Sequence, residues 1–183
     1  MSASSHTKPG VLVSTAWVAD HLNDPNVRLV EIDVDTTAYD SGHAPNTTGW
    51  NWQTQLQRHP SRDIPSKEEW ESLLSSSGIG NDTHVVLFGD NNNWFAAFGY
   101  WIFKVYGHEN ISLMDGGRKK WLDEGRETTN DVPSPAQASY HAKEANLDLR
   151  AYRDHVQKAI NNPGQGMVDV RSPAEFSGQL LAP

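Results

Sequence analysis

The sequence has no cysteine among its 183 residues. This absence excludes disulfide bonds and any reaction in which a thiol of this chain acts as the nucleophile. It also fits a reducing compartment, where disulfides are rare. The segment from Met1 to Gly10 is polar and lacks the apolar stretch of a secretory signal peptide. We therefore expect a cytoplasmic protein.

Positive charge and long apolar runs are also scarce. The chain carries 15 Lys and Arg residues against 23 Asp and Glu, which gives a net charge of −8 and a pI near 5.4. Such a surface repels nucleic acid and anionic membranes. The dense basic stretch Arg118-Lys119-Lys120 is typical of the solvated side of a short helix, and the longest apolar run, around Phe95, is too short to span a bilayer. We expect no nucleic-acid partner and no membrane partner.

The eight histidines are scattered and form neither a His-Glu-x-x-His motif nor another close pair, so no metal site is expected. Gly116-Gly117 lacks the Gly-x-Gly-x-x-Gly spacing of a dinucleotide-binding loop. Ser41 and His43, with either Asp33 or Asp40, suggest a catalytic triad, but no Gly-x-Ser-x-Gly elbow accompanies them. His43 is better explained as a residue that orders its loop. The sequence thus predicts neither a metal nor an organic cofactor.

Segments typical of strands and helices alternate along the first two thirds of the chain. From their apolar composition we predict strands at 28–33, 84–88 and 111–114. Helix periodicity and capping signals, including a capping box at Ser66-Lys67-Glu68-Glu69, predict helices at 17–22, 66–78, 94–106 and 119–124. Glycine and proline punctuate 36–52, which is predicted to be a loop. This alternation indicates an α/β fold, a parallel sheet with helices on both faces.

The remaining third begins with a stretch rich in Thr, Pro, Ser and Ala and then repeats an earlier pattern. Residues 29–42 read LVEIDVDTTAYDSG and residues 167–178 read MVDVRSPAEFSG. Each is an apolar strand pattern bearing a carboxylate, followed by a polar turn, an aromatic residue and glycine. The offset is about 140 residues, the size of a domain, although two short matches also arise by chance. We predict a first domain at 10–127, a linker at 128–148 and, opening with a helix at 149–160, the truncated start of a second copy at 149–183.

A polar turn, Gly89 to Asn93, joins the predicted strand 84–88 to the next helix. Turns at the carboxyl edge of a parallel sheet commonly hold the functional groups of α/β proteins. This one contains no thiol, no hydroxyl and no Gly-Lys-Ser. It therefore predicts a pocket without a nucleophile. Its Asn91-Asn92-Asn93 run is compatible with two interpretations, an anion site made of amides or a helix cap.

Several segments, in order along nearly the whole chain, carry a family resemblance; they include STAWVADHL, VEIDVDTTAYDSGH, RDIPSKEEWESLL, VVLFGDNNNWFAAFGYWIF and VDVRSPAEFSG. The sequence resembles the two-domain thiosulfate sulfurtransferases, or rhodaneses, of bacterial type. The resemblance implies two tandem domains, each with a rhodanese-like parallel sheet. It also implies an inactive amino-terminal copy and a carboxyl-terminal copy with a reactive cysteine. That cysteine takes the outer sulfur of thiosulfate as a persulfide and passes it to cyanide or another thiol.

By this resemblance Gly89 stands at the position of the family's cysteine. The degenerate active-site loop then consists of Gly89, Asp90, Asn91, Asn92, Asn93 and Trp94, and the carboxylate of Asp90 would repel the anionic thiosulfate. Asp169 and Arg171 would belong to the strand and entry loop of the second copy, near its active site. A surface ion pair at a strand end is an equally good interpretation of these two residues.

The chain as given is expected to be inactive, because sulfur relay needs a thiol and this sequence has none. For the intact enzyme the resemblance implies a small anionic sulfur donor, a sulfur-carrier or thiol protein as a further partner, and no cofactor. Two alternatives stay open. A cysteine-free copy can serve as a binding or regulatory module, or it can be a structural half that restores activity to a separate carboxyl-terminal domain. Trp50 and Trp52 are candidates to line a cleft between domains.

Overall fold

A five-stranded sheet lies at the centre of the computed structural model, which describes residues 10–160 and 162–181. Every neighbouring pair of strands is parallel, in the order β1-β5-β4-β2-β3. The strands are β1 (Leu12–Val13), β2 (Val27–Asp33), β3 (Thr47–Asn51), β4 (His84–Phe88) and β5 (Ile111–Met114). The predicted parallel sheet is confirmed.

Helices connect these strands and continue after the last one. They are α1 (Thr15–Asp20), α2 (Thr37–Ser41), α3 (Trp52–Gln55), α4 (Lys67–Ser76), α5 (Asp90–Val105), α6 (Gly117–Asp123), α7 (Arg153–Ile160) and α8 (Pro173–Phe176). The predicted capping box opens α4. The Ser66 hydroxyl accepts a hydrogen bond from the Glu69 N–H at 3.3 Å, and the Glu69 carboxylate accepts one from the Ser66 N–H at 2.7 Å. Two of the unpaired donors at the start of the helix are satisfied in this way.

The sheet is covered on both faces, as predicted. Side chains alternate along a strand, so Val30 of β2 points to one face and Leu29 to the other. On the first face Val30 belongs to a core cluster with side chains of α4 and α5, including Trp70 and Phe103. On the second face Leu29 belongs to a cluster with α1 and α6, including the buried Trp121. Glu31 and Asp33 share the parity of Leu29 and therefore lie on the α6 side.

The segment 36–52, predicted to be a loop, contains α2, β3 and the start of α3. β3 is an edge strand that pairs only with β2 among the described strands, with Ile32 opposite Trp50. The sequence pattern did not predict β3, because its residues are largely glycine and threonine and an edge strand needs few apolar residues. Trp50 is 1% exposed and donates from Nε1 to the Ser77 hydroxyl at 3.1 Å. Trp50 is a core residue, so the expectation that it lines a cleft between domains is wrong.

The two-residue strand β1 is too short for any sequence pattern, and the segment after α6 is more ordered than a linker suggests. The chain divides into two compact units, the first ending at Asn146 and the second beginning at Leu147. Within the first unit, the Ala138 N–H donates to the Ser75 carbonyl at 3.0 Å and the Asn146 N–H to the Val105 carbonyl at 2.8 Å. Tyr140 is 3% exposed. Residues 138–146 therefore pack on α4 and α5.

The second unit contains a short 3-10 helix at Leu147–Leu149, α7 and α8. Helix α7 begins four residues later than predicted. The strand predicted within 167–170 is not formed: Val168 is 86% exposed and Val170 is 91% exposed. An apolar run forms a strand only when a neighbouring strand satisfies its backbone, and the described part of this unit supplies none.

Among the described helices, none combines the length and the apolar character needed to cross a bilayer. Among the described residues, no group of three or more His, Asp or Glu side chains is arranged to hold a metal ion.

Candidate functional site

The turn after β4 lies at the carboxyl edge of the sheet. Gly89 follows the last residue of β4 and caps α5, which begins at Asp90. The neighbouring strand β2 ends at Asp33 on the same edge, and β5 ends there at Met114. The structure thus places Gly89 at the mouth of a strand-to-helix turn, beside the ends of two other strands.

Gly89 has no room for a side chain. A Cβ added there would lie well inside 3.0 Å of the Ile32 carbonyl oxygen and 3.0 Å from Asp33 Oδ1. Its φ of 178° is extended backbone that any residue adopts, so the restriction is steric and not conformational. The loop therefore lacks both a thiol and the space in which a thiol would sit.

The three asparagines that follow adopt left-handed backbone conformations, with φ of 50°, 56° and 64° for Asn91, Asn92 and Asn93. Asparagine visits this region more readily than other non-glycine residues because its short side chain bonds locally. Asn93 does so: Oδ1 accepts from the Gly89 N–H at 3.0 Å, and Nδ2 donates to the Met114 carbonyl at 2.8 Å. The asparagine run therefore sets the shape of the loop and ties it to β5.

The loop already holds an internal carboxylate. The Asp90 N–H donates to Asp33 Oδ1 at 2.8 Å, an interaction that an anionic ligand would make with an open loop of this kind. Asp33 is 4% exposed, and its Oδ2 has no hydrogen-bond partner in the part of the chain that the structure describes. Burial raises the pKa of Asp33 to about 6. At neutral pH the carboxyl group of Asp33 is therefore mainly ionised, and the loop carries its negative charge.

A buried ion pair between Glu31 and Arg118 lies next to the loop. Arg118 Nη1 donates to Glu31 Oε1 at 2.6 Å, with the two side chains 8% and 1% exposed. Arg118 Nη2 donates to the Ala38 carbonyl at 2.8 Å and also to the Gly42 carbonyl. Burial raises the pKa of Glu31 to about 7, and the charge of Arg118 opposes that rise. Arg118 thus joins α6 to β2 and α2.

The Arg118 backbone extends the same connection to the loop, since its N–H donates to the Gly89 carbonyl at 3.1 Å. This close approach requires Gly117, where φ is +57° and an added Cβ would lie 2.7 Å from the Gly89 oxygen. We expected from the sequence that all of the basic triplet 118–120 would be solvated, and for Arg118 this expectation is wrong. Lys119 is exposed and pairs with Asp123, and Lys120 is partly exposed and pairs with Asp115, whereas Arg118 is a buried structural cation.

A cavity of about 540 Å³ opens at the loop. We call it the loop cavity, and it is lined by Asp33, Val34, Asp35, Ala38, Asp90, Asn91, Asn92 and Lys119. Three of these residues are carboxylates, and none is a nucleophile of the kind that attacks sulfur. Acidic side chains therefore outnumber basic ones in the cavity wall.

Trp94, the last residue of the predicted loop, points away from this chemistry. It is 66% exposed and stacks on Phe95 with ring centroids 6.0 Å apart. Trp52 is partly buried and lies 5.1 Å from the Phe95 ring and 5.7 Å from the Phe98 ring. Of these aromatic side chains only Trp94 is largely exposed, while Trp52, Phe95 and Phe98 are partly buried against the core.

The other predicted site residues lie in the second unit. Arg171 Nη2 donates to Asp169 Oδ2 at 2.6 Å, and both side chains are substantially exposed. The guanidinium of Arg171 holds the pKa of Asp169 down to about 2. α8 follows directly, with a capping box between Ser172 and Glu175. The described geometry is that of a surface ion pair, and a catalytic role for these two residues stays a prediction.

Three residues of the site escaped the sequence reasoning: Glu31, Asp33 in its structural role, and Arg118. The available signal was the strand pattern of β2, in which two carboxylates occupy buried positions among apolar residues. Buried carboxylates need a partner, and Arg118 is that partner for Glu31. His43 behaves as predicted: it is 1% exposed, and its Nδ1 lies 2.9 Å from the Tyr39 carbonyl oxygen.

Comparison with known proteins places this geometry in context. Residues 14–124 match the family model of the rhodanese-like domain. The chain is 54% identical over its whole length to a protein of Haloferax volcanii named "Putative thiosulfate sulfurtransferase", of which it covers 65%. It is 53% identical over 94% of its length to a protein of the same name from Saccharopolyspora erythraea, of which it covers 61%. Against the sulfur carrier protein TtuD of Thermus thermophilus the identity is 46% over 96% of the chain, which covers 62% of TtuD.

The chain therefore spans less than two thirds of the length of these relatives. Among solved structures, the sulfotransferase SseA of Escherichia coli superposes with a TM-score of 0.82 at 19% identity, covering 94% of this chain and 70% of SseA. The anaerobic ergothioneine biosynthesis enzyme of Chlorobium limicola superposes with a TM-score of 0.80 at 22% identity, covering 93% and 46% of the two chains. These likenesses confirm the fold predicted from the sequence.

Proposed function

This chain belongs to the rhodanese-like family, and from that premise we propose that it is the amino-terminal domain, the linker and the start of the second domain of a cytoplasmic thiosulfate sulfurtransferase. The high identity to longer relatives named for that activity supports the assignment. The proposal that catalysis belongs to the second domain rests on the loop at Gly89, which has neither a thiol nor room for one.

The proposed chemistry belongs to a cysteine outside this sequence. Its thiolate attacks the outer sulfur of thiosulfate, the sulfur–sulfur bond breaks, and sulfite leaves with the bonding electron pair. Cyanide or an acceptor thiolate then attacks the persulfide sulfur, and the cysteine thiolate is regenerated. Sulfur passes through two covalent steps without any net change in the enzyme, and no metal or organic cofactor is needed.

The part of this chain in the reaction is structural. The Glu31–Arg118 pair and the Asn93 bonds hold the loop in one conformation. Asp33 occupies the amide that an anion would otherwise use. We therefore expect thiosulfate to bind to the domain that contains the cysteine and not to this one.

A thiosulfate-to-cyanide assay tests the proposal. We expect the 183-residue chain alone to form no thiocyanate, and to restore activity when it is mixed with the carboxyl-terminal part of the Haloferax volcanii relative. The carboxyl-terminal part alone is the control. Protein-dependent thiocyanate production by this chain by itself would overturn the proposal, and so would a mixture no more active than the control.

A binding or regulatory module is the second candidate, favoured by the exposed Trp94 beside the loop. The name of TtuD suggests a sulfur-carrier or thiol protein as the partner. Since this chain has no cysteine to hold a persulfide, it would contribute a docking surface only. Binding of a persulfidated carrier that is lost in Trp94→Ala, while the assay above shows no restored activity, would favour this candidate over the first.

A further inference from the structure

Two carboxyl groups lie buried next to the loop, and the chain supplies one buried cation for them. Glu31 and Asp33 are two positions apart on β2, so both side chains lie on the α6 side of the sheet. They are 1% and 4% exposed. Among the described residues, Arg118 is the one Lys or Arg side chain that is buried. The buried layer beside the loop therefore contains one more acidic group than basic groups.

Each of the two carboxyl groups has one oxygen without a donor. Arg118 donates to Glu31 Oε1 and to two backbone carbonyls. The Asp90 N–H donates to Asp33 Oδ1. Glu31 Oε2 and Asp33 Oδ2 accept no hydrogen bond from the described residues, and solvent cannot contact them. Since a buried carboxylate oxygen without a donor is destabilising, a proton is the species small enough to neutralise it in place.

The charged groups that face the two carboxyls do not compensate them. These titratable or charged groups are Asp35 after β2, Tyr39 of α2, Asp90 of α5 and Arg118 of α6. Lys119 of α6 pairs with Asp123 instead. Burial raises the pKa of Glu31 to about 7 and the pKa of Asp33 to about 6; the charge of Asp90 adds to both rises, and the charge of Arg118 opposes them. The folded protein therefore holds protons on these carboxyls more tightly than an unfolded chain does.

The direction of the effect on the loop follows from this preference. When the loop opens, water reaches Asp33, and the pKa of its carboxyl returns towards the ordinary value of 3.8. Because the closed loop holds the proton more tightly, protonation stabilises the closed loop and ionisation favours the open one. The hydrogen bond from the Asp90 N–H favours the ionised carboxyl in the closed loop, but burial has the larger effect on the pKa of Asp33.

We propose that Asp33 makes the loop 89–94 a pH-sensitive switch, which is closed when this carboxyl is protonated and opens increasingly when it is ionised next to Glu31. Opening relieves the buried charge because Asp33 Oδ2 then accepts hydrogen bonds from water. The equilibrium constant for opening should rise by about 10-fold between about pH 5 and about pH 8. This inference goes beyond the sulfur-transfer proposal and does not depend on it, since loop opening is measured without any sulfur chemistry.

Native-state hydrogen exchange of the 183-residue chain, followed by two-dimensional amide NMR from about pH 5 to about pH 8, tests the switch. Each exchange rate is divided by the intrinsic rate at the same pH, so that the base catalysis of exchange cancels. We expect the protection factors of the Gly89 and Asp90 N–H groups to fall by about 10-fold across this range. The Asp33 carboxyl carbon, observed by carbon-13 NMR, should titrate with a midpoint near pH 6.

Asp33→Asn keeps an oxygen that can accept the Asp90 N–H and cannot ionise, so the same protection factors should vary by less than about 2-fold. The matched control is Asp82→Asn, which removes one negative charge from an exposed residue outside the loop and should keep the wild-type profile. The wild-type profile and the carboxyl midpoint decide the question even if Asp33→Asn does not fold. Protection that is constant with pH, an equal fall in Asp33→Asn, or an equal fall at the Val85 N–H in the sheet would overturn the proposal. A carboxyl midpoint below about pH 5 would overturn it as well.

Discussion

Placing a cysteine at Gly89 should not create a sulfurtransferase. The added Cβ lies well inside 3.0 Å of the Ile32 carbonyl oxygen. Relief requires the loop and β2 to separate by at least about half an ångström in a close-packed region. The Asp90–Asp33 hydrogen bond bridges that same gap and would lengthen with it.

The size of the effect follows from these two contributions. Overpacking costs about 1–3 kcal/mol, and the weakened hydrogen bond adds up to about 1 kcal/mol. We therefore expect Gly89→Cys to lower the free energy of unfolding by about 3 kcal/mol, which lowers the melting temperature by about 6–12 °C in a protein of this size. Any thiol formed there also lies beside the carboxylates of Asp33 and Asp90, which disfavour the thiolate.

Thermal unfolding followed by circular dichroism, together with the thiocyanate assay, measures both outcomes. Gly89→Ala carries the same Cβ without the sulfur and isolates the steric cost. Gly166→Ala is the matched control, because an added Cβ there meets no atom within 4 Å. The reasoning is refuted if Gly89→Ala melts with the wild-type protein, or if Gly89→Cys forms thiocyanate at a protein-dependent rate.

Three further predictions concern stability. Arg118→Ala leaves Glu31 buried without its partner, so we expect the free energy of unfolding to fall by about 3–5 kcal/mol at about pH 8. The loss should be smaller at about pH 5, where Glu31 is protonated. Denaturant titrations that give equal losses at both pH values would contradict this. Burial lowers the pKa of His84 from 6.5 to about 4, so the folded state resists protonation that the unfolded state accepts. The wild-type protein should therefore lose about 3 kcal/mol relative to His84→Gln as the pH falls from about 6.5 to about 4, and a constant difference across that range would count against the assignment. Limited proteolysis should cut first within 162–166, which is exposed and contains only turns and loop; protection of that segment in a peptide map would show the opposite.

Sequence periodicity was sufficient for the interior of the fold. β2, β4 and β5 consist mainly of apolar residues because both faces of the sheet are covered, and the capping box predicted the start of α4. β3 escaped because an edge strand carries little apolar pattern. The regular right-handed part of α5 follows the left-handed residues Asn91 to Asn93, so the helix predicted to begin at Trp94 is confirmed.

The candidate site was predictable in position and not in chemistry. The rule that loops meet at the carboxyl edge of a parallel sheet located the turn at Gly89. Nothing local in the sequence shows that Asp33 bonds the Asp90 amide, or that Arg118 reaches Glu31 across 87 positions. Such contacts depend on the packing of separate elements, and a single sequence without its fold contains no direct record of them.

Residues 138–146 have a practical consequence for anyone dividing the gene. Their backbone closes the carboxyl ends of α4 and α5, through Ser75 and Val105, and inserts Tyr140 against His108. A recombinant fragment that ends at Arg126 would lack the Ala138 and Asn146 N–H groups that donate to these carbonyls. It would also expose the aromatic surface that Tyr140 covers, and we expect it to aggregate. An expression boundary for the first compact unit therefore belongs after Asn146.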